Sequence, residues 1–239
     1  MIRLCLHGAS GRMGAAIEGL LDARFEVSAR LDADSDQAAY DAALAAADVV
    51  IDFSVAAAMD RLAAALERTP RPVVSGTTGL SDRQMRTLQG LSQTMPVLWA
   101  SNMSLGVAVL TSLVASAARQ LADWDLEFVE THHRHKVDAP SGTALTLAQV
   151  AAAERPGSTI VCGRAGEGRR HPGQIGVQAL RGGTVVGHHE AHFYGQAEQI
   201  TLAHRAESRD QFASGALRAA YWISGRSPGW YSLEEVLGL

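Results

Sequence analysis

Apolar positions follow two different rhythms along this chain. In the first hundred residues they form short continuous runs at 2–7, 25–31, 48–54, 72–75 and 97–100, rich in Val, Ile and Leu. Helix-like stretches at 15–21, 37–47 (Ala-rich), 56–68 and 81–93 separate those runs. The short runs read as buried strands, and the longer stretches between them read as helices. Strand and helix in strict alternation predict an α/β fold, a parallel doubly wound sheet with right-handed crossovers. In such sheets ligands bind at the C-terminal strand ends.

From about residue 104 the rhythm changes. A helix is expected over 105–121, a strand over 126–130 and a helix from 144. Strand-like segments follow at 158–162, 176–181, 184–189, 192–194 and 199–204, joined by short Gly turns. That pattern predicts an antiparallel or mixed sheet. The stretch 163–173, rich in Gly and Arg, reads as a mobile loop, and helices at 210–223 and 232–237 complete the pattern.

At 239 residues and 47% hydrophobic, the chain is long enough to bury a substantial core. No stretch reaches the roughly 18 apolar residues of a membrane span. The N-terminal run enters a glycine turn directly, without the apolar core and cleavage site of a secretory leader. Cys5 and Cys162 are too few and too distant for a disulfide framework or a zinc site, so the expected compartment is a reducing cytoplasm. A net charge of −4 argues against a nucleic-acid binder.

Two segments carry candidate chemistry. The first is Gly8-Ala9-Ser10-Gly11-Arg12-Met13-Gly14, between the first strand and the first helix. Its G-x-x-G-x-x-G spacing is shifted by one from the usual dinucleotide fingerprint, but the physics is shared. A tight turn brings backbone close to a pyrophosphate, and a helix N-terminus points at the negative charge. Asp32, about 20 residues further on, stands where such folds bind ribose hydroxyls. Ala33 follows it, so a 2′-phosphate would meet a carboxylate without an adjacent cation, and charge favours NADH over NADPH. Arg12 and Arg30 are the candidate cations beside the adenosine.

The second segment runs from Glu130 to Thr143. Five consecutive side chains, His132 to Lys136, are cationic or can become so, and a Pro-Ser-Gly-Thr helix start follows. A charge run is ordinarily a solvated surface. Here the amides at Ser141, Gly142 and Thr143 add an anion nest, which suits a ligand with more than one carboxylate beside proton donors. His188 and His192 have the i, i+4 spacing of a helical metal pair, but their surroundings read as strand and no third ligand is evident, so no metal site is expected.

The run HHRHKVDAPSGT at 132–143 closely resembles the signature of the dihydrodipicolinate reductase family, also called 4-hydroxy-tetrahydrodipicolinate reductases. The likeness extends through GASGRMG (8–14), IDFS (51–54), GTTG (76–79), SNMSLGV (101–107), VVGHH (185–189) and the segment 209–239, covering nearly the whole chain in order. It implies a Rossmann-type dinucleotide-binding domain at 1–103, rejoined by 209–239, and an inserted α+β domain at 104–208 for substrate binding and assembly. Hinges between the two would let the substrate domain close over the cofactor. By position, His132 resembles the family's general acid/base and Lys136 its partner proton donor. His133, Ser141, Gly142 and Thr143 resemble substrate contacts. Gly8, Ala9, Ser10, Gly11, Arg12, Met13, Asp32, Gly76, Thr77, Thr78, Ala100, Ser101, Asn102 and Met103 resemble cofactor contacts. The implied activity is NADH- or NADPH-dependent reduction of a ring dicarboxylate in lysine and diaminopimelate biosynthesis, by a cytoplasmic homotetramer. The sequence departs from the family pattern in a shorter stretch between Asp32 and Asp48, in Met103 where Phe is commoner, and in Ala108 where Asn is common.

Two rival readings fit parts of the same sequence. One is another NAD(P)-dependent reductase of a small di-acid, such as an aspartate-type dehydrogenase. The other is a non-catalytic dinucleotide-sensing module. His132 and Lys136 together argue against the sensor.

Overall fold

The first apolar run folds as β1 (Ile2–His7), which pairs in parallel with β2 (Phe25–Leu31) on one side and β3 (Val49–Asp52) on the other. β4 (Val73–Ser75) and β5 (Pro96–Trp99) extend the same parallel sheet. The crossovers are α1 (Arg12–Gly19), α2 (Gln37–Ala46), α3 (Ala56–Arg68) and α4 (Asp82–Leu91). A parallel neighbour needs such a crossover, because a hairpin only reverses a strand. In α3, Ala58, Met59, Leu62, Ala63, Ala65 and Leu66 are buried, while Asp60, Arg61, Glu67 and Arg68 face out. This stripe packs with Tyr40 and Leu44 of α2 and Leu88 of α4 over Val50 and Val73. Each such Leu or Met contributes about 1.5–3 kcal/mol when removed from water.

Next come α5 (Leu105–Gln120), β6 (Asp125–His132), α6 (Gly142–Ala153), β7 (Thr159–Cys162), β8 (Gln174–Arg181), β9 (Gly187–Tyr194) and β10 (Gln199–Ala206). Their sheet has the order β10-β9-β6-β8-β7, with β6, β7 and β8 parallel and β9 antiparallel to both neighbours. Side chains alternate faces along a strand. In β6 this buries Leu126 and Phe128 against Val114, Leu147 and Ala151 of the covering helices, and the same alternation carries Glu130 and His132 onto that face. The segments expected at 184–189 and 192–194 merge into one strand, β9, which starts only at Gly187 and leaves 184–186 in the preceding turn. Glu190, which interrupts the apolar run, sits on the opposite face while Ala191 and Phe193 continue the buried one. The Gly- and Arg-rich stretch expected to be mobile is tied to β6, where Arg164 and Arg170 reach Glu127 at 3.4 and 3.2 Å.

The chain then forms α7 (Asp210–Ile223), β11 (Gly229–Tyr231) and α8 (Leu233–Leu237). α7 packs on α1 and on β3, β4 and β5, and β11 pairs in parallel with β5. The first sheet therefore has the order β11-β5-β4-β3-β1-β2. β11 was not expected, because three residues are too few for periodicity to register. The computed structural model describes residues 1–239 and divides into two units, Met1–Leu105 with Arg209–Leu239, and Gly106–Ser208. No helix is long and apolar enough to cross a membrane.

Candidate active site

In the first unit the strand order reverses between β1 and β3, the point at which doubly wound sheets open a crevice. Gly8 leaves β1 with φ +82, and a Cβ there would lie 2.5 Å from the Phe53 carbonyl oxygen. A Cβ on Gly14 would lie 2.2 Å from the Ala9 carbonyl oxygen, so the first turn of α1 is seated directly on the glycine turn. α1 starts at Gly11 with no side-chain cap and no acid in its first turn. Its first amides thus suit a pyrophosphate. The residues present fit a nicotinamide dinucleotide.

Asp32 follows β2 and accepts from Ser10 through Oδ1, at 3.1 Å from N and 2.8 Å from Oγ. The acid and the glycine turn are thereby one unit, with Oδ2 making neither contact. Arg30 is ion-paired with Glu18 at 2.6 Å on the exposed surface. A cation that the sequence reading missed, Arg61 of α3, donates to the Ala33 and Ser35 carbonyls at 3.1 and 2.7 Å. A cavity of about 250 Å³ brings together Arg12, Met13, Ala100, Ser101, Asn102 and Met103 with Phe53, Arg209 and Phe212. Mostly apolar with few polar groups, it has the character of a small-ligand pocket.

Beneath these loops lies a cluster that the sequence reading also missed. Asp52 accepts from Ser54 Oγ at 2.7 Å, Ser75 Oγ at 2.7 Å and Thr77 Oγ1 at 2.8 Å. Tyr40 Oη contacts His7 Nε2 at 2.8 Å. Thr77, expected at the cofactor, is 2% exposed, and its hydroxyl serves this cluster.

In the second unit Glu130 is 1% exposed and its carboxylate gathers three neighbours. His132 Nδ1 lies 2.6 Å from Oε2, two Arg181 nitrogens reach the two oxygens at 2.8 Å each, and the Ser141 amide donates to Oε1 at 2.9 Å. Burial raises the pKa of Glu130, but the hydrogen bonds from Arg181, His132 and Ser141 outweigh it and hold the group below the ordinary range. Burial lowers the pKa of His132; Glu130 opposes that, and the charges of Lys136 and Arg181 add to it, so the net shift is downward. Lys136 Nζ pairs with Asp138 at 2.7 Å. His133 Nδ1 is buried without a hydrogen-bond partner in the chain.

Ser141 differs from its expected role. It is 2% exposed, its amide is taken by Glu130, and its hydroxyl caps α6 through the Ala144 amide while meeting His189 Nε2 at 3.1 Å. It is a support, and the anion-facing part of the nest begins at Gly142. His189, with its pKa lowered to about 4 chiefly by burial, stacks edge-on to His132 at 5.1 Å between ring centroids. The sequence reading missed Glu130 because it ended the strand at 130 and left His132 in the loop; with β6 running to His132 the i, i+2 spacing pairs them, whereas Arg181 and His189 left no such signal.

His188 and His192 lie on β9, where both reach Glu190, at 3.4 and 3.0 Å. No group of three His, Cys, Asp or Glu side chains is placed to hold a metal ion. A larger hollow of about 620 Å³, around Trp124, Arg155 and Arg170, shares no residue with either site.

Family models match nearly the whole chain: the dihydrodipicolinate reductase N-terminus at residues 2–103 and the dihydrodipicolinate reductase C-terminus at residues 106–237. The 4-hydroxy-tetrahydrodipicolinate reductase of Sulfurimonas denitrificans is 43% identical, with 99% of each chain covered. That of a Nitratiruptor species is 50% identical over 80% of this chain and 77% of its own. Among solved structures, a dipicolinate-bound dihydrodipicolinate reductase from a Paenisporosarcina species superimposes with a TM-score of 0.82 at 24% identity, covering 98% of this chain and 99% of that one.

Proposed function

The chain belongs to the dihydrodipicolinate reductase family, and from that membership we propose how its residues divide the work. It is an NAD(P)H-dependent 4-hydroxy-tetrahydrodipicolinate reductase of lysine and diaminopimelate biosynthesis. The observation that carries the residue assignment is the His132–Glu130 pair, set beside the first turn of α6.

The glycine turn, the first amides of α1 and Asp32 hold the dinucleotide, Asp32 through the ribose hydroxyls. Gly76, Thr78 and the 100–103 segment border it at the C-terminal strand ends. Bound there, a reduced nicotinamide supplies hydride to the substrate ring after the 4-hydroxyl group has left as water. The chain's own task is then to neutralise two carboxylates and deliver one proton. Lys136, His133 and the amides at Gly142 and Thr143 take the carboxylates, and Lys136 is also the partner proton donor to His132. His132 delivers the proton: burial lowers its pKa, which makes its cationic form a ready donor. Each turnover consumes one reduced dinucleotide and one proton.

In this reading the protein is a cytoplasmic homotetramer. Both thiols, Cys5 and Cys162, are free. The sheet β6–β10 leaves Leu180, Tyr194 and Ile200 substantially exposed, as a surface covered by another copy would be. The test of function is NADH absorbance followed while a coupled synthase makes the substrate from pyruvate and aspartate semialdehyde. No oxidation above the rate without enzyme would overturn it.

A further inference from the structure

Building on the reading of His132 as proton donor, we propose that Glu130 is a positioning residue that sets two parts of the site at once. It holds the imidazole with Nδ1 inward and Nε2 as the atom that exchanges protons, and it fixes the first turn of α6, where substrate carboxylate is held.

The argument starts from the chemistry of an ionised carboxylate, which accepts hydrogen bonds and donates none. Glu130 Oε2 lies 2.6 Å from His132 Nδ1, and Arg181 binds both carboxylate oxygens. Nδ1 therefore carries hydrogen whether the ring is neutral or cationic, and only Nε2 is left to gain and lose a proton. Nε2 lies beside Gly187, 3.1 Å from where a Cβ would stand, so the missing side chain leaves that atom room. The second oxygen, Oε1, takes the Ser141 amide at 2.9 Å, and Ser141 caps α6. One carboxylate thus fixes the distance between the proton donor and the amides of Gly142 and Thr143. Burying a charge is costly unless its partners compensate, and here Arg181 compensates fully enough to keep it ionised.

The charged and titratable groups around His132 are Glu130 on its own strand, Arg181 on β8, His189 on β9 and Lys136 in the following loop, with His188 on β9 and His204 on β10 acting on His189 behind it. In the step itself, cationic His132 passes the Nε2 proton to the carbanionic carbon of the reduced ring. The ring remains neutral with hydrogen on Nδ1, and solvent restores the proton.

Histidine ¹⁵N spectroscopy of the whole protein tests the first half directly, with the His132 signal assigned by its loss in His132→Gln. Above its pKa, His132 in the wild-type protein should be the Nδ1–H form; an Nε2–H form overturns the proposal, and this arm does not depend on any Glu130 variant folding. Kinetics test the second half. Glu130→Gln should lower kcat by roughly 10²–10⁴-fold, the upper end being the loss seen when a carboxylate that orients a catalytic imidazole is made an amide. It should also raise KM, leave NADH affinity unchanged, and move the His132 limb of the pH profile to lower pH. Wild-type kcat, KM and pH profile in Glu130→Gln overturn the proposal. If His132→Gln turns over at the wild-type rate, it is the proton-donor assignment that fails, and the tautomer measurement still decides the positioning role.

Discussion

His7 Nδ1 and Asp52 Oδ1 meet 2.9 Å apart with neither side chain exposed, a contact too bent for a straight hydrogen bond. The pair joins the ends of β1 and β3 under the dinucleotide loops. Burial raises the pKa of Asp52, but His7 and the hydroxyls of Ser54 and Ser75 outweigh it, so the folded value is below the ordinary one. The stabilisation is therefore fully present above the unfolded carboxylate pKa of about 3.9 and is lost as pH falls through the folded value. Asp52→Asn should cost about 1–3 kcal/mol near neutral pH, because it leaves buried donors around the carboxylate without their acceptor. Thermal unfolding across pH should show the variant less acid-sensitive than wild type; parallel curves would remove Asp52 from the acid transition.

Cofactor choice should follow Asp32. NADH is expected to bind at least as tightly as NADPH, and Ala33→Arg should shift preference toward NADPH because a guanidinium pairs well with phosphate. Calorimetric titration decides it. A wild-type preference for NADPH beyond tenfold would require another phosphate partner, and Arg61, against the Ala33 and Ser35 carbonyls, is the first to examine.

His132→Gln and Lys136→Ala should each lower kcat by roughly 10²–10⁴-fold, the ordinary contribution of a positioned proton donor. Their combined loss should be smaller than the product if both serve one protonation step. Thr143→Val should act mainly on KM. Near-normal kcat in Lys136→Ala would mean that the basic loop is only solvated surface.

Gly187→Ala places a methyl group 3.1 Å from His132 Nε2, so the ring must give way by a few tenths of an ångström. Since a 1 Å misplacement costs on the order of 100-fold, a loss of kcat of about tenfold is expected, with little change in melting temperature. An unchanged kcat would show that the ring moves without consequence.

Light scattering at micromolar concentration should report a tetramer. A monomer would contradict the reading of the exposed sheet residues Leu180, Tyr194 and Ile200 as covered by other copies.

What was legible in the sequence was local. The glycine turn and the run after Glu130 are contiguous, so their spacing exposes their chemistry. The shared face of Glu130 and His132 was not legible, because the strand was expected to end at 130 and β6 continues to His132. The rest depends on strand register. Asp52 is opposite His7 on one side and Ser75 on the other, residues 45 and 23 positions away. His132 is opposite Arg181, and Glu130 is opposite His189. Nothing in the intervening residues announces these pairings, because they exist only once the sheets have formed. The engagement of Ser141 by Glu130 was hidden for a different reason: the two are 11 positions apart, and the loop between them folds back to bring the amide to the carboxylate.

The interrupted path of the first unit bears on how the protein is made. α7 buries Ala213, Ala216, Leu217, Ala219, Ala220 and Ile223 against strands synthesised more than a hundred residues earlier. Until residue 223 has left the ribosome, that face of the parallel sheet has no cover, while 106–208 can already form their own core. The dinucleotide fold, although it begins first, is completed last. A ribosome that stalls between 106 and 208 therefore presents an apolar sheet face, and the nascent chain is most in need of a chaperone at that stage.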